Sequence, residues 1–456
     1  MRLGGVRHLH FMGIGGAGMS ALAELALSEG LTVSGCDLQA TGRTRALEKL
    51  GARVTVGHDP RHVDDADVLV VTSAVAAGHP EVNEAHRLGV AVVRRATLLA
   101  EAMRGHLGVA VAGTHGKTTT SAMTGFVLTQ AGCDPTVAIG GHAPDLGGHS
   151  RHGHGELMVC EADEYDRSFL ELAPAWVVIT NIEAEHLDTY GTVEALEGAF
   201  AELAARVPFY GALIACLDDP GAARVAAAHR GRVVTYGTSA AARLRAEDLR
   251  VTTGGSRFTV HREGSLLGEI ELGLPGAHNV RNALAAIAVG LEVGLAIDDM
   301  VPALAEFGGV ERRFQLLGDR AGITVVDDYA HHPTEIRALV AAARGKFPGR
   351  RLVVAFQPHL YSRTQRFASE LGAALAAADS TVVLPIYPAR ERPLPGVDAE
   401  LVVEAVKDCG GVARSASSLE DALRELESEL ERGDVLLTVG AGDVDRVGVA
   451  WLGGEA

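Results

Sequence analysis

Apolar residues in this chain fall into short uninterrupted runs, separated by longer stretches in which they return every third or fourth position. Short runs bounded by glycine read as strands buried on both faces, and the longer stretches read as amphipathic helices. Their alternation predicts an α/β protein built on mainly parallel sheets. In a first block, residues 8–12 are a strand ending in a glycine loop, 17–29 a helix, 31–36 a second strand and 68–72 a further one. This block closes near Met103-Arg104-Gly105. A second block opens with a strand at 107–112 and continues through strands at 156–160, 176–180, 213–216 and 232–236. Residues 252–274 alternate polar and apolar positions around glycines, which predicts an antiparallel excursion; the turn Pro275-Gly276 then leads into a helix over 279–293. A third block starts near Glu311, with strands at 323–326, 352–356, 381–386 and 435–439 and helices at 333–343, 363–377 and 419–430. Pro385, Pro388, Pro393 and Pro395 mark a long loop inside it.

A length of 456 residues agrees with about three domains. Aromatic residues make up only 4% of the chain, so the cores must rely on Ala, Val, Leu and Ile. The formal charge of −17 argues against a nucleic-acid or membrane-surface binder, so anionic ligands must be held by loop amides, single Arg or Lys residues and metal. Five cysteines (36, 133, 160, 216 and 409) are scattered, odd in number and in no CxxC pair, which fits a reduced compartment. Arg2 and Arg7 are followed by glycines and histidines rather than an apolar segment, and no apolar run approaches the roughly 20 residues that span a bilayer. A cytoplasmic location is expected.

The most informative stretch is Gly113-Thr114-His115-Gly116-Lys117-Thr118-Thr119-Thr120, between a buried strand and a helix. Such a turn presents backbone N–H groups to phosphate oxygens, Lys117 adds a point charge, and the Thr118 hydroxyl can hold Mg²⁺. Val111 stands where the first glycine of the usual phosphate-loop pattern is expected. Gly13-Ile14-Gly15-Gly16-Ala17-Gly18 satisfies G-x-G-x-x-G, with Asp37 at the end of the next strand. That geometry suits a nicotinamide cofactor and a UDP-linked pyrophosphate equally.

Glu161-Ala162-Asp163-Glu164 and Asn181-Ile182-Glu183-Ala184-Glu185-His186-Leu187-Asp188 each follow a strand of the second block. Parallel strands would bring Thr118, Glu161 and His186 to one sheet edge. A carboxylate and an alcohol oxygen suit Mg²⁺, whereas an imidazole is an unusual ligand for it. Asn279 and Asn282 in His278-Asn279-Val280-Arg281-Asn282 share a helix face and could read an adenine edge; helix capping explains them equally well. The third block offers Arg312-Arg313-Phe314, Asp327-Asp328-Tyr329-Ala330-His331-His332-Pro333 and Gln357-Pro358-His359-Leu360-Tyr361-Ser362-Arg363-Thr364, enough for a small zwitterion and a ribose. His149, His152 and His154, set among glycines without a neighbouring Cys or carboxylate, read as a mobile surface loop.

In order and spacing, these motifs resemble the Mur ligase family along essentially the whole chain, together with Pro208-Phe209-Tyr210-Gly211 and Gly440-Ala441-Gly442. The resemblance implies three domains on mainly parallel sheets. These are a Rossmann-like UDP-sugar domain (1–104), a P-loop ATPase-like centre (105–310) and a Rossmann-like C-terminal domain (311–456) that closes over the site. It implies joining of L-alanine to the lactyl carboxylate of UDP-N-acetylmuramate, through an acyl phosphate, with release of ADP and phosphate, by a monomer or homodimer. Gly13, Gly15, Gly16, Gly18, Asp37 and Ser73 would hold the UDP-sugar. Gly113, Thr114, His115, Gly116, Lys117, Thr118, Thr119, His278, Asn279, Asn282, Arg313 and Asp328 would hold ATP. Thr118, Glu161 and His186 would carry Mg²⁺, and Tyr329, His331 and Arg363 would receive alanine. Lys117, Glu161, His186, Arg313 and His331 are the expected catalytic set, with His331 as either proton acceptor or binding group.

Two departures from the family pattern stand out: Leu360 replaces an arginine expected near the amino acid, and Glu185 replaces an aspartate before His186. A ligase attaching a whole tripeptide to the same sugar shares most of these motifs; Glu335 favours the alanine branch. A dehydrogenase reading of the first block leaves Gly113–Thr120 and the third block without a role.

Overall fold

The computed structural model describes residues 3–72, 74–76, 78–389 and 391–454; Ser73 lies outside them. Three sheets organise the chain. The first is wholly parallel, in the order Arg53–Val56, Thr32–Asp37, His8–Met12, Val68–Val71, Ala91–Arg94. Its two faces differ in chemistry because side chains alternate along each strand. Leu9 and Phe11 enter the main core with helix Ala17–Ser28, whereas Met12, Cys36 and Leu69 pack with Val63, Val82 and Ala85 on the other face.

The second sheet has ten strands. Its parallel heart runs Val233–Gly237, Ala212–Cys216, Trp176–Ile179, Leu107–Ala112, Leu157–Glu161, Thr136–Ala143. Its inner strands, Ala212–Cys216, Trp176–Ile179 and Leu107–Ala112, are rich in Val, Ile, Leu and Ala, as burial on both faces requires. Beyond Val233–Gly237 come Leu244–Thr252, Gly255–Arg262 and Ser265–Leu272, joined by two-residue turns that only antiparallel neighbours allow. This is the excursion read from the alternating pattern.

The third sheet is ordered Gln315–Arg320, Ile323–Asp328, Val435–Val439, Leu352–Phe356, Ser380–Val383, Ala413–Ser415, with only the first pair antiparallel. The expected long loop is present between Val383 and the helix Ala399–Asp408.

The chain divides into two compact units. One comprises Met1–Glu247, Phe258–Ile270 and Arg281–Phe307; the other comprises Asp248–Arg257, Glu271–Val280 and Gly308–Ala456. Within the first unit, helix Ala17–Ser28 packs on strands Thr136–Ala143 and Gly148–Arg151, and Ser150 Oγ donates to Glu24 Oε2 (2.8 Å).

That packing corrects the mobile-loop reading of residues 147–154. Gly148–Arg151 is an antiparallel strand against Thr136–Ala143; His149 is buried and its Nδ1 bonds the Gly141 carbonyl (2.9 Å). The glycines allow close backbone approach: a side chain at Gly153 would meet the Asp134 and Pro135 carbonyls.

Among the described residues, no helix is long and apolar enough to cross a membrane.

Candidate functional site

Parallel pairing brings the second block's motifs to one sheet edge. Val111 is level with Glu161 on one neighbouring strand, and Ala112 with Ile179 on the other. The loop after Ala112 turns into helix Lys117–Gln130 through Gly116, whose φ of 80° lies in the left-handed region. The first-turn amides of that helix have no intrahelical acceptor and carry the positive end of its dipole, which is a ready anion site.

The loop itself is fixed by the segment after the neighbouring strand Trp176–Ile179. Thr114 N–H donates to the Asn181 carbonyl (3.0 Å), and His115 N–H to Asn181 Oδ1 (2.8 Å). Thr180 Oγ1 and Asn181 Nδ2 both donate to the His115 carbonyl (2.7 and 3.0 Å). From the helix that carries it, Asn282 accepts from Thr120 Oγ1 (3.1 Å). Thr180 and Asn181 are therefore structural braces of the loop, a role that motif spacing alone does not reveal.

Thr118 Oγ1 donates to Glu161 Oε2 (2.9 Å), which also accepts from the Gly140 amide (2.8 Å). Lys117 Nζ donates to the Gly113 and Thr114 carbonyls (2.6 and 3.2 Å) and to both oxygens of Glu164 (2.8 and 3.1 Å). Burial works against the Lys117 charge, but Glu164, Asp163 and Glu161 together raise its pKa above the usual lysine value. Burial pushes Glu164 up to about 7 against the opposing pull of Lys117. His186 stands beside this pair, its Nε2 3.7 Å from Glu164 Oε1 and its ring edge-on to Tyr165. Glu164 belongs to the Glu161–Glu164 run but was not singled out from sequence; only the fold shows that it, rather than Glu161, pairs with Lys117.

The Gly13–Gly18 loop lies in the same unit. Gly13 and Ile14 amides donate to the Cys36 carbonyl (2.8 and 3.1 Å), and Gly15 N–H to Asp37 Oδ2 (2.9 Å). Two arginines missed in the sequence reading border it. Arg43 Nε donates to the Gly15 carbonyl (2.6 Å), and a Cβ at Gly18 would stand 3.1 Å from Arg95 Nη1. Arg95 Nη2 also reaches to 3.8 Å from Asp163 Oδ2, so it spans from the first glycine loop to the carboxylates beside the second.

In the other unit, Asp328 and Phe356 are both level with Val439, so their following loops leave one edge. Asp328 accepts from Phe314 N–H (2.7 Å) and Ala330 N–H (2.8 Å); burial pushes its carboxyl up to about 6. Arg312 faces inward, bonding Asp327 Oδ2 (3.1 Å) and the Gly440 and Gly442 carbonyls (2.9 and 3.0 Å). Arg313 pairs with Glu335 Oε1 (3.4 Å) and lies over the Tyr329 ring. His331 Nδ1 contacts the Tyr329 carbonyl (2.9 Å), which can only accept, so the proton is on Nδ1 and Nε2 offers a lone pair. Burial lowers the His331 pKa to about 4. Arg363 Nη1 donates to His359 Nδ1 (3.0 Å), and the His359 ring meets that of His331.

Leu360 adopts φ 70° at the start of helix Tyr361–Leu375, a strained conformation for a branched side chain next to the loop expected to hold an amino acid. His278 and Asn279 open helix Ala277–Glu292, and Asn279 Nδ2 donates to the Pro275 carbonyl (2.9 Å).

The chain matches family models described as Mur ligase family, catalytic domain (residues 8–107), Mur ligase middle domain (111–290) and Mur ligase, glutamate ligase domain (312–442). It is 46% identical over 450 residues to a UDP-N-acetylmuramate–L-alanine ligase of Desulfosudis oleivorans, covering 98% of each chain. Among solved structures it is similar to the UDP-N-acetylmuramate-alanine ligase MurC of Thermotoga maritima, with a TM-score of 0.84, 31% identity and 98% of both chains covered. It is also similar to a murein peptide ligase, mpl, of Psychrobacter arcticus, with a TM-score of 0.72, 26% identity and the same coverage. By its motifs, its three sheets and these near full-length likenesses, the chain belongs to the Mur ligase family.

Proposed function

We infer that this protein joins L-alanine to UDP-N-acetylmuramate at the expense of ATP, as a step of peptidoglycan precursor synthesis. The observation that carries the reading is 46% identity along 98% of both chains with a relative of that name. Greater likeness to the alanine ligase structure than to the murein peptide ligase favours a single alanine over a tripeptide as the incoming group.

The chemistry requires a carboxylate to attack the γ-phosphate of ATP, forming an acyl phosphate that the alanine amine then opens with loss of phosphate. Two anions must approach, so positive groups must lie where their charges meet. Lys117 and the first-turn amides of its helix would hold the phosphates, with Gly113, Thr114, His115, Gly116, Thr118 and Thr119 shaping the cradle. Glu164, braced through its carbonyl by Tyr190 Oη (2.6 Å), keeps the Lys117 ammonium charged and aimed. Thr118 and Glu161 fit a magnesium ion: both offer hard oxygens, and they are already in contact at 2.9 Å. Such an ion, when bound, would neutralise charge on the transferred phosphoryl group. His186 would border a second cation position.

Gly13, Gly15, Gly16, Gly18 and Asp37 are assigned to the UDP-sugar, with Arg95 reaching toward the phosphoryl side. His278, Asn279, Asn282, Arg313 and Asp328 are assigned to the nucleotide, and Tyr329, His331 and Arg363 to alanine. With its Nδ1 held by the Tyr329 carbonyl, His331 presents Nε2 as an acceptor that orients alanine. The domain boundaries of this assignment are 1–104, 105–310 and 311–456, and the expected compartment is the cytoplasm.

The test is ADP release with UDP-N-acetylmuramate and either free L-alanine or the tripeptide L-alanyl-γ-D-glutamyl-meso-diaminopimelate. Release with alanine is expected; release only with the tripeptide would move the protein to the other branch.

A further inference from the structure

The sheet face of the N-terminal domain that looks away from the main core is unusually rich in metal-ligating side chains. Alternation along the first two strands puts His8, His10, Ser34 and Cys36 on that face, and Ser34 Oγ contacts both His8 Nε2 (2.7 Å) and His10 Nδ1 (2.8 Å). Two further elements close over it: the 3-10 turn Pro60–Val63 brings His62, and the first turn of helix Pro80–Leu88 brings Glu81.

We propose that His10, Cys36, His62 and Glu81 form a binding site for one transition-metal dication, zinc by its donor chemistry, separate from the catalytic magnesium position. One donor atom from each residue lies within 4.8 Å of all the others. Tetrahedral zinc with bonds of roughly 2.0–2.3 Å places its donors roughly 3.3–3.6 Å apart, so only a small contraction is needed. Cys36 Sγ is already 3.4 Å from Glu81 Oε2, and His62 Nδ1 is 2.8 Å from Glu81 Oε1.

The decisive observation is His10. Only 2% of this residue is exposed; its Nδ1 is held by Ser34, and its Nε2 is buried with no hydrogen-bond partner. A carboxylate hub explains the rest of the cluster: Glu81, wholly buried, accepts from the Asp59 amide (2.9 Å) and the Cys36 thiol (3.4 Å) and contacts His62 Nδ1 (2.8 Å) and His58 Nδ1 (3.3 Å). It does not explain a buried imidazole nitrogen left unpaired beside a thiol. A metal does, because Nε2 is the lone pair it would take, with Ser34 fixing the ring through the other nitrogen.

A set of one sulfur, two imidazoles and one carboxylate suits zinc or cobalt(II) and is poor for magnesium or calcium. Binding forms a metal–sulfur bond at Cys36 and releases the thiol proton to solvent. The site is structural: it clamps residues 58–63 and the helix at 80 to the sheet at Cys36, the residue before Asp37, which holds the Gly15 amide.

The test uses the full-length protein freed of metal with a chelator, then titrated with Co²⁺ or Zn²⁺ alone. One equivalent of Co²⁺ is expected to give a thiolate-to-cobalt charge-transfer band with tetrahedral visible bands. Cys36→Ser is expected to abolish the charge-transfer band, and His10→Ala to weaken affinity at least about ten-fold. X-ray absorption of the wild-type zinc form needs no variant and is expected to show one sulfur with three nitrogen or oxygen neighbours. An all-nitrogen-and-oxygen shell, no binding at one equivalent, or a band that survives Cys36→Ser in a folded variant would each overturn the proposal.

Discussion

The two glycine loops of the first unit follow the same local plan, strand to glycine turn to helix, yet they acquire their charged groups differently. In the Gly13–Gly18 loop the amides of Gly13, Ile14 and Gly15 are spent on the Cys36 carbonyl and the Asp37 carboxylate. Its cations, Arg43 and Arg95, come from outside the motif. The Gly113–Thr120 loop carries its own cation, Lys117, buried against Glu164 and two loop carbonyls. A glycine fingerprint therefore reports a tight backbone turn; the groups brought in by neighbouring strands decide what the turn can hold. An acid in the first loop suits ribose hydroxyls, and a lysine with an adjacent carboxylate–alcohol pair suits a triphosphate and its cation.

Breaking the second loop is expected to have the largest effect. Lys117→Ala and Glu161→Ala should each lower kcat by about 1,000-fold or more, the range expected when a phosphoryl-transfer charge is removed. Steady-state ADP release checks this, with circular dichroism confirming the fold; activity within ten-fold of wild type would contradict the assigned roles. Gly113→Ala should be nearly as damaging for another reason. Gly113 has φ 135°, and a Cβ there would collide with Thr180 Oγ1. Strain and the displaced brace together should cost on the order of 3 kcal/mol in chemical denaturation.

The first loop should respond through substrate affinity. A Cβ at Gly15 would lie 2.9 Å from Asp37 Oδ2 and displace it. Gly15→Ala and Arg95→Ala are expected to raise KM for UDP-N-acetylmuramate about ten-fold while changing KM for ATP little. Equal loss for both substrates would show that the loops do not divide the ligands as assigned.

A further effect concerns pH. Glu164, raised to about 7 by burial, binds its proton more tightly in the folded than in the unfolded chain. Its contribution to stability is thus full below the usual glutamate pKa and lost as pH rises through 7. Glu164→Gln should remove that decline, which amounts to about 2–3 kcal/mol between pH 4.5 and 8, measured by urea unfolding.

Much of this architecture was legible because parallel sheets write themselves as apolar runs, and strand ends then predict which loops share an edge. Thr118 and Glu161 met as expected for that reason, as did the loops after Asp328 and Phe356. The electrostatic partners were not legible. Glu164 to Lys117, Arg95 to Asp163 and Thr180 with Asn181 under the phosphate loop are contacts between separate strand ends, set by side-chain direction rather than by spacing. The histidines at 149–154 misled because glycine-rich sequence signals both mobile loops and close backbone packing, and here the buried strand Gly148–Arg151 is the outcome.

In the proposed function, the phosphate loop of this chain serves the joining of a single amino acid to a sugar-borne carboxylate. ADP release measured with UDP-N-acetylmuramate, adding L-alanine, L-serine, glycine and the tripeptide in turn, tests it most directly. Turnover highest with L-alanine and absent without the UDP-sugar is predicted. ADP release that ignores the sugar, or that requires the tripeptide, would contradict it.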